Sequence, residues 1–340
     1  MHIIIHGPLE KEFLTKNLRA INKSLPQSTV ILSIYKKDSD ALNKMLKKDF
    51  LDYKVRIEII ESDDVFNPGF YNINRQINLV KAAIDSIEDN DTYILKVRMD
   101  QCIDYKSMLK IYKKHKDILM DKIVSTNCYT RKDRLYHPSD MFLAGTKKNL
   151  AAYYPKSFFP ESHMDCQLRI QELVRQNETE RLHYFWPESR LFINYLQEVG
   201  DKEVLDTYED SESKLKKHIF LINSWDIKLK WMKFLKGKFT VLPYFFEMRP
   251  FHDGPLEKAE NFLASELNGY RNIVKEKCMN LLSKAYFRSG MYIINPVFID
   301  FRSTLIRFLR RCFNASFKFI PPILHNLVYR VAKRVYYALR

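Results

Sequence analysis

Glycine is scarce in this chain, 8 in 340 residues, and none sits in a G-x-G-x-x-G or G-x-x-x-x-G-K-[ST] run. That absence excludes the usual dinucleotide fingerprint and P-loop, so any phosphate must be gripped in another way. Cysteine is sparse too. Cys102, Cys128, Cys166, Cys278 and Cys312 form no C-x-x-C pair and are odd in number, which argues against a zinc knuckle and a disulfide framework and for reduced, cytosolic thiols. No apolar run reaches the length of a membrane span. The first residues, MHIIIHGPLEKEF, lack a charged n-region followed by a long apolar stretch, and read as a first strand, not a secretory signal. With so little Gly, 13 Pro and no internal repeat, there is no room for a low-complexity linker. A protein that is neither exported nor membrane-spanning is expected.

What is present is a hydrophobic content of 46% with 14% aromatic residues, enough for a folded core. The length suggests two domains, or one large α/β domain with an appendage. Ile3–Ile5, Val30–Tyr35, Lys54–Ile60, Tyr93–Val97, Lys122–Cys128 and Asp140–Thr146 read as strands. Between them, helical spacing of Leu14, Leu18, Ile21 and Leu25, and of Ile77, Val80, Ile84 and Ile87, marks helices. Further helices are expected near Ser107–Leu119, Ser162–Val174 and Pro187–Val199. Alternating strands and helices predict a Rossmann-type α/β fold, a mostly parallel sheet flanked by helices. Beyond Gly200 the sequence becomes polar and helical to about Ile219, then aromatic-rich; residues 257–283 read as helical.

The segment TYILKVRMDQCID, residues 92–104, carries the most chemistry. It reads as a buried strand presenting Arg98 and Asp100 at its carboxyl end, where open α/β sheets bind ligands. Arg98 offers a planar fork suited to a diphosphate, and Asp100 suits a divalent cation or a sugar or ribose hydroxyl. A surface ion pair is the plainer alternative. The turn His6-Gly7-Pro8 closes the first strand and lets backbone approach a nucleotide. The Asn/Pro/Gly turn at 67–69 leads to a helix starting near Asn74 and Arg75, with Asn as cap, an anion or ribose site or simply a capped helix.

These pieces in this order, GP near the start, P-x-S-x-V-I-L-S-x-Y at 26–35, N-x-N-R-Q at 72–76 and L-K-V-R-M-D-Q at 95–101, resemble the WavE lipopolysaccharide-synthesis family, regarded as GT-A-type glycosyltransferases. The resemblance covers about residues 1–200. It implies transfer of a sugar from a nucleotide-sugar donor to a saccharide or lipid-linked acceptor during synthesis of lipopolysaccharide, O-antigen or capsule. It makes His6, Gly7, Asn74 and Arg75 donor contacts, and Arg98 with Asp100 the counterpart of an acidic D-x-D motif. Arg98 stands where the first Asp would be, which leaves Mn²⁺ or Mg²⁺ dependence open. Either Asp100 recruits the metal with help, for instance from His252-Asp253, or Arg98 and Lys96 neutralise the leaving diphosphate. A general base is needed if the product is inverted. Glu188 is the first candidate, since the Pro187-Glu188 start resembles the family's late acidic motif, although Pro and Glu also suit any helix start. Asp140 and Glu161 are lesser candidates.

Net charge is +15, and residues 301–340 hold nine Lys or Arg and no acid. Leu305, Phe308, Leu309 and Cys312 form one helical face beside Arg307, Arg310 and Arg311. After Pro321-Pro322, Leu324, Leu327, Val328, Val331 and Val335 form another beside Arg330, Lys333 and Arg334. Paired basic amphipathic helices suit the anionic inner face of a bacterial plasma membrane, or they pack on the domain with their basic sides in solvent. Nucleic acid is not an expected partner, for the tail has no recognised module. The expected organisation is therefore a GT-A-like domain over 1–255 and a helical region over 256–340 ending in the basic tail. The rival from another class is a non-catalytic basic adaptor for membranes or nucleic acid.

Overall fold

The computed structural model describes residues 1–50, 53–231, 246–248, 257–259, 261–267 and 276. The chain divides into two units, residues 1–293 and 294–340, of which the second lies outside the described residues. So do Arg307, Arg310, Arg311, Arg330, Lys333 and Arg334 of the basic tail, and His252-Asp253.

The first unit is built on a seven-stranded sheet. Its strands are β1 (His2–His6), β2 (Thr29–Tyr35), β3 (Arg56–Ser62), β4 (Tyr93–Arg98), β6 (Ile123–Thr126), β7 (Phe142–Thr146) and β8 (Ile219–Ile222), in the order β3-β2-β1-β4-β7-β6-β8. β5 (Gln101–Cys102) stands apart and pairs antiparallel with β9 (Lys230–Trp231). Every neighbour in the large sheet is parallel except β7, which runs against both β4 and β6. This is the α/β architecture that the sequence predicts, a mostly parallel sheet flanked by helices.

Alternation sorts the strand residues to two buried faces. Ile3, Ile5, Val30, Leu32, Leu95 and Val97 pack with Leu14, Leu18 and Ile21 of α1 (Lys11–Ser24) and Met108 and Ile111 of α4 (Tyr105–Asp121). Ile4, Ile31, Ile94 and Leu143 pack on the other side. Their partners are Ile77, Val80 and Ile84 of α3 (Ile73–Asp85), Leu150 of α5 (Lys147–Tyr153), and Leu191, Phe192 and Tyr195 of α7 (Pro187–Glu198). Helix starts follow local chemistry. Asp104 caps α4 and Thr146 caps α5, while Ser162 and Asp165 close a capping box on α6 (His163–Arg175).

Three expectations need correction. The helix of the N-x-N-R-Q segment begins at Ile73, and its cap position, Asn72, is left-handed with no side-chain capping bond. Asn74 lies inside the first turn because Gly69, Tyr71 and Asn72 all take positive φ and bring the chain around one residue earlier. The polar stretch after Gly200 is helical only over α8 (Tyr208–His218), as long as α2 (Ser39–Asp49), and it hands directly to β8. Glu257–Ala259, read as helix, is β11 and pairs antiparallel with β10 (Phe246–Met248); the remaining positions to 283, apart from 261–267 and Glu276, lie outside the described residues. Among the described residues no helix is long and apolar enough to cross a membrane.

Candidate active site

Strand order reverses at β1, which hands on to β2 on one side and lies against β4 on the other. In an open α/β sheet the carboxyl ends at such a switch point diverge and leave a crevice. Here it is a cavity of about 610 Å³, floored by His6 and Gly7 from β1 and by Arg98, Met99 and Asp100 from β4. His6 and Arg98 are direct cross-strand partners. Gly7 (φ +122) turns the chain sharply at the floor, a conformation that L side chains rarely adopt. Because β7 is reversed, its start meets the same edge. The excursion at 127–141 therefore delivers Arg131, Arg134, His137 and Asp140 to the cavity, and α7 delivers Trp186 and Glu188. Five Lys or Arg and five Asp or Glu line it, so recognition rests on placement and not on a net field.

Arg98 and Asp100 meet the cavity as a pair. Arg98 donates from Nε to Asp100 Oδ1 at 3.0 Å and from a terminal nitrogen to Oδ2 at 3.2 Å. Trp231 donates its indole N–H to the same Oδ2 at 2.7 Å, and the guanidinium lies 5.7 Å from the Trp231 ring centre. Trp231 is placed by the β5–β9 pairing, opposite Gln101. Burial alone would lower the Arg98 pKa, but the Asp100 charge more than compensates and pushes it up. Both Asp100 oxygens thus accept hydrogen bonds, and among the described residues no group of three or more His, Cys, Asp or Glu is placed to hold a metal ion. Among the described residues this donor set completes no site for a divalent cation, and His252-Asp253, the expected helpers, lie outside them.

Arg75 also reaches the cavity, bonded through two nitrogens to Asp64 at 2.8 and 2.7 Å and through a third to Asn72 at 3.0 Å. Asn74 does not line it. Its buried amide donates to the carbonyls of Asn67 and Phe159 and accepts from the Phe159 N–H, clamping the 67–69 turn to the 159 loop. Lys96 also lies beneath the wall. On β4 it faces the same side as Arg98, yet it is fully buried and donates to the Asp140 carbonyl. Burial lowers its pKa to about 8, opposed by the Asp140 charge. His6 is buried with an unpartnered Nε2, and burial with the Lys96 and Arg98 charges depresses its pKa well below the usual imidazole value. It is neutral at pH 7.

Glu188 lies in the first turn of α7, and Oε2 is 3.4 Å from His137 Nε2. Nδ1 of His137 is 3.1 Å from the Tyr129 carbonyl, which fixes the proton on that nitrogen. Burial would raise the Glu188 pKa, but the charges of His137 and Arg134 outweigh it and hold the carboxyl well below its usual range. The guanidinium of Arg134 sits 3.6 Å from the Trp186 ring centre, and Trp186 stacks at 15° on Tyr71, half exposed at the rim. Ser189 ties α7 to the excursion through the Leu135 carbonyl at 2.8 Å. Glu161 lies elsewhere, paired with Arg190 at 2.8 Å.

Sequence reasoning missed Asp64, Tyr71, Arg131, Arg134, His137 and Trp231. The run TRKDRLYHPSD at 130–140 was a usable signal, being dense in charge just before a strand. Nothing local marks Trp231.

Fold and site together define an α/β protein with a polar crevice at its topological switch point. The chain belongs to the WavE lipopolysaccharide synthesis family, whose sequence profile matches residues 1–228. No curated protein matches it. Among solved structures it is similar to HddC from Yersinia pseudotuberculosis, at 13% identity and TM-score 0.33, covering 46% of this chain and 81% of that one. It is also similar to 4-diphosphocytidyl-2C-methyl-D-erythritol synthase from Anaerococcus prevotii, at 17% and 0.32, covering 49% and 81%. A mutant of LgtC matches at 12% and 0.32, covering 58% and 70%.

Proposed function

We propose that this protein is a nucleotide-sugar-dependent glycosyltransferase, hexosyltransferase-like, that passes a sugar to a saccharide or lipid-linked acceptor in bacterial lipopolysaccharide, O-antigen or capsule synthesis. Besides the family, one observation carries the reading: the His6-Gly7 turn and the Arg98–Asp100 pair stand side by side on β1 and β4 and open into the same cavity as Arg75 and Glu188. In this reading the Gly7 backbone lies against the ribose, and neutral His6 bonds a donor hydroxyl. Arg98, with Lys96 behind it, meets the charge that builds on the departing diphosphate. Asp100 orients Arg98 and the donor. Glu188, held ionised by its cationic neighbours, orients the acceptor hydroxyl.

The catalytic domain is read as residues 1–255, with 256–340 as an extension whose basic tail meets an anionic bilayer from the cytoplasmic side. Salt-sensitive binding of the full chain to anionic liposomes, lost on deleting residues 301–340, is the expected result; unchanged binding removes the membrane role.

A melting-temperature screen against nucleotides and nucleotide sugars, with Mn²⁺ and with chelator, tests the enzyme reading. One nucleotide should raise the melting temperature over the others. Indifference to all of them would leave the non-catalytic adaptor as the better account.

A further inference from the structure

Within that reading, we infer that Asp140 is the catalytic base that takes the proton from the acceptor hydroxyl. Asp140 is 7% exposed and lines the cavity, yet its carboxylate makes no hydrogen bond to any described residue. Three neighbouring acids on the wall are engaged: Asp100 by Arg98 and Trp231, Asp64 by Arg75, Glu188 by His137. A carboxylate that opens on the cavity with no protein donor is left to solvent there, and its natural partner is a hydroxyl that arrives with a ligand.

The backbone around Asp140 is rigidly held. Its own carbonyl accepts from Lys96, the Ser139 carbonyl accepts from Ser125 at 2.7 Å, and the Ser139 N–H donates to Thr130 at 2.9 Å. The groups that sense its charge are Lys96, Arg98, Tyr153 and Tyr154, and Glu188 acts on the first three of these as well. Two of them are cations. Glu188 is already engaged by His137, whose charge and hydrogen bond hold its carboxyl well below the usual range.

The step balances without a further reactant. Asp140 accepts the hydroxyl proton as the acceptor oxygen bonds to the anomeric carbon. The bond from that carbon to the diphosphate oxygen breaks, and its electron pair leaves with the nucleoside diphosphate beside Arg98. The proton passes to solvent once the product departs. A single displacement of this kind inverts the anomeric centre.

The test uses the full chain and a panel of UDP-, GDP-, dTDP- and ADP-sugars. Carbodiimide with an amine, read by peptide mass spectrometry, should label Asp140 in free protein, and the nucleotide sugar that raises the melting temperature should protect it. With that donor and water as acceptor, Asp140→Asn should bind within about threefold of wild type but release nucleotide about 100-fold more slowly or worse. Glu188→Gln should be slower yet keep the acid limb of the pH profile, which Asp140→Asn loses. Absence of label at Asp140, or release by Asp140→Asn within about threefold of wild type with the acid limb intact, overturns the assignment. If no donor shifts or protects wild type, the transferase reading fails, whereas labelling of Asp140 still reports whether the carboxylate is free.

Discussion

The two ends of the cavity treat charge differently. At the β1–β3 end the ions are paired in partial exposure, with Arg75 and Asp64 side chains 39% and 34% accessible. At the excursion and α7 end, His137 is 2% accessible and Arg134 is desolvated enough that burial lowers its pKa to about 10. Interactions at the first end are weakened by water, and those at the second are not. The difference suits recognition at one end and chemistry at the other, with the Arg98–Asp100 pair at the junction.

The largest effect is expected at that junction. Asp100→Ala removes the carboxylate that Arg98 and Trp231 share, and nucleotide release from the matching donor should fall by about 100-fold or more while circular dichroism stays unchanged. Retained turnover would separate the two ends completely. Next comes the turn that shapes the rim. A Cβ on Gly69 would stand 2.9 Å from Ile73 Cγ2 at a φ of +70, so Gly69→Ala should lower urea stability by about 1–3 kcal/mol.

Beneath the wall, Lys96 gives a pH signature. The folded chain releases its proton near pH 8, while an unfolded chain keeps it to about 10.5, so the unfolded state binds more protons in between and stability should rise with pH across that window. Lys96→Met should abolish this rise, which amounts to about 3 kcal/mol, in urea melts from pH 7 to 10.5. A flat wild-type curve would mean that Lys96 is solvated and that the chemical end is wetter than described. The smallest effect belongs to the exposed end: Arg75→Ala should cost below about 1 kcal/mol in the same melts, and a larger loss would erase the contrast.

Much of the sheet was legible because periodicity records burial. Ile3, Ile4 and Ile5 alternate between two cores, and the helix residues Ile77, Val80 and Ile84 do meet one of them. The site was legible only where it is local. His6-Gly7 and Arg98-x-Asp100 stand at strand ends, which a sequence shows. That Lys96 falls short of the cavity while Arg98 reaches it depends on where the crevice ends, and no residue type encodes that. The His137–Glu188 and Asp100–Trp231 contacts join distant segments, and Asn74, polar and beside a turn, looked like a ligand contact although its amide bonds are all to backbone.

The single reversed strand has a consequence for how the molecule can change. The chain leaves the sheet after Thr126 and re-enters at Phe142 on the same rim, so both ends of the excursion are fixed by adjacent strands of one sheet. Leu135 and Tyr136 from it are packed into the core, so changes there must keep those anchors. Variation at this wall is therefore confined to single side chains that face the cavity, with the β1–β4 floor left in register.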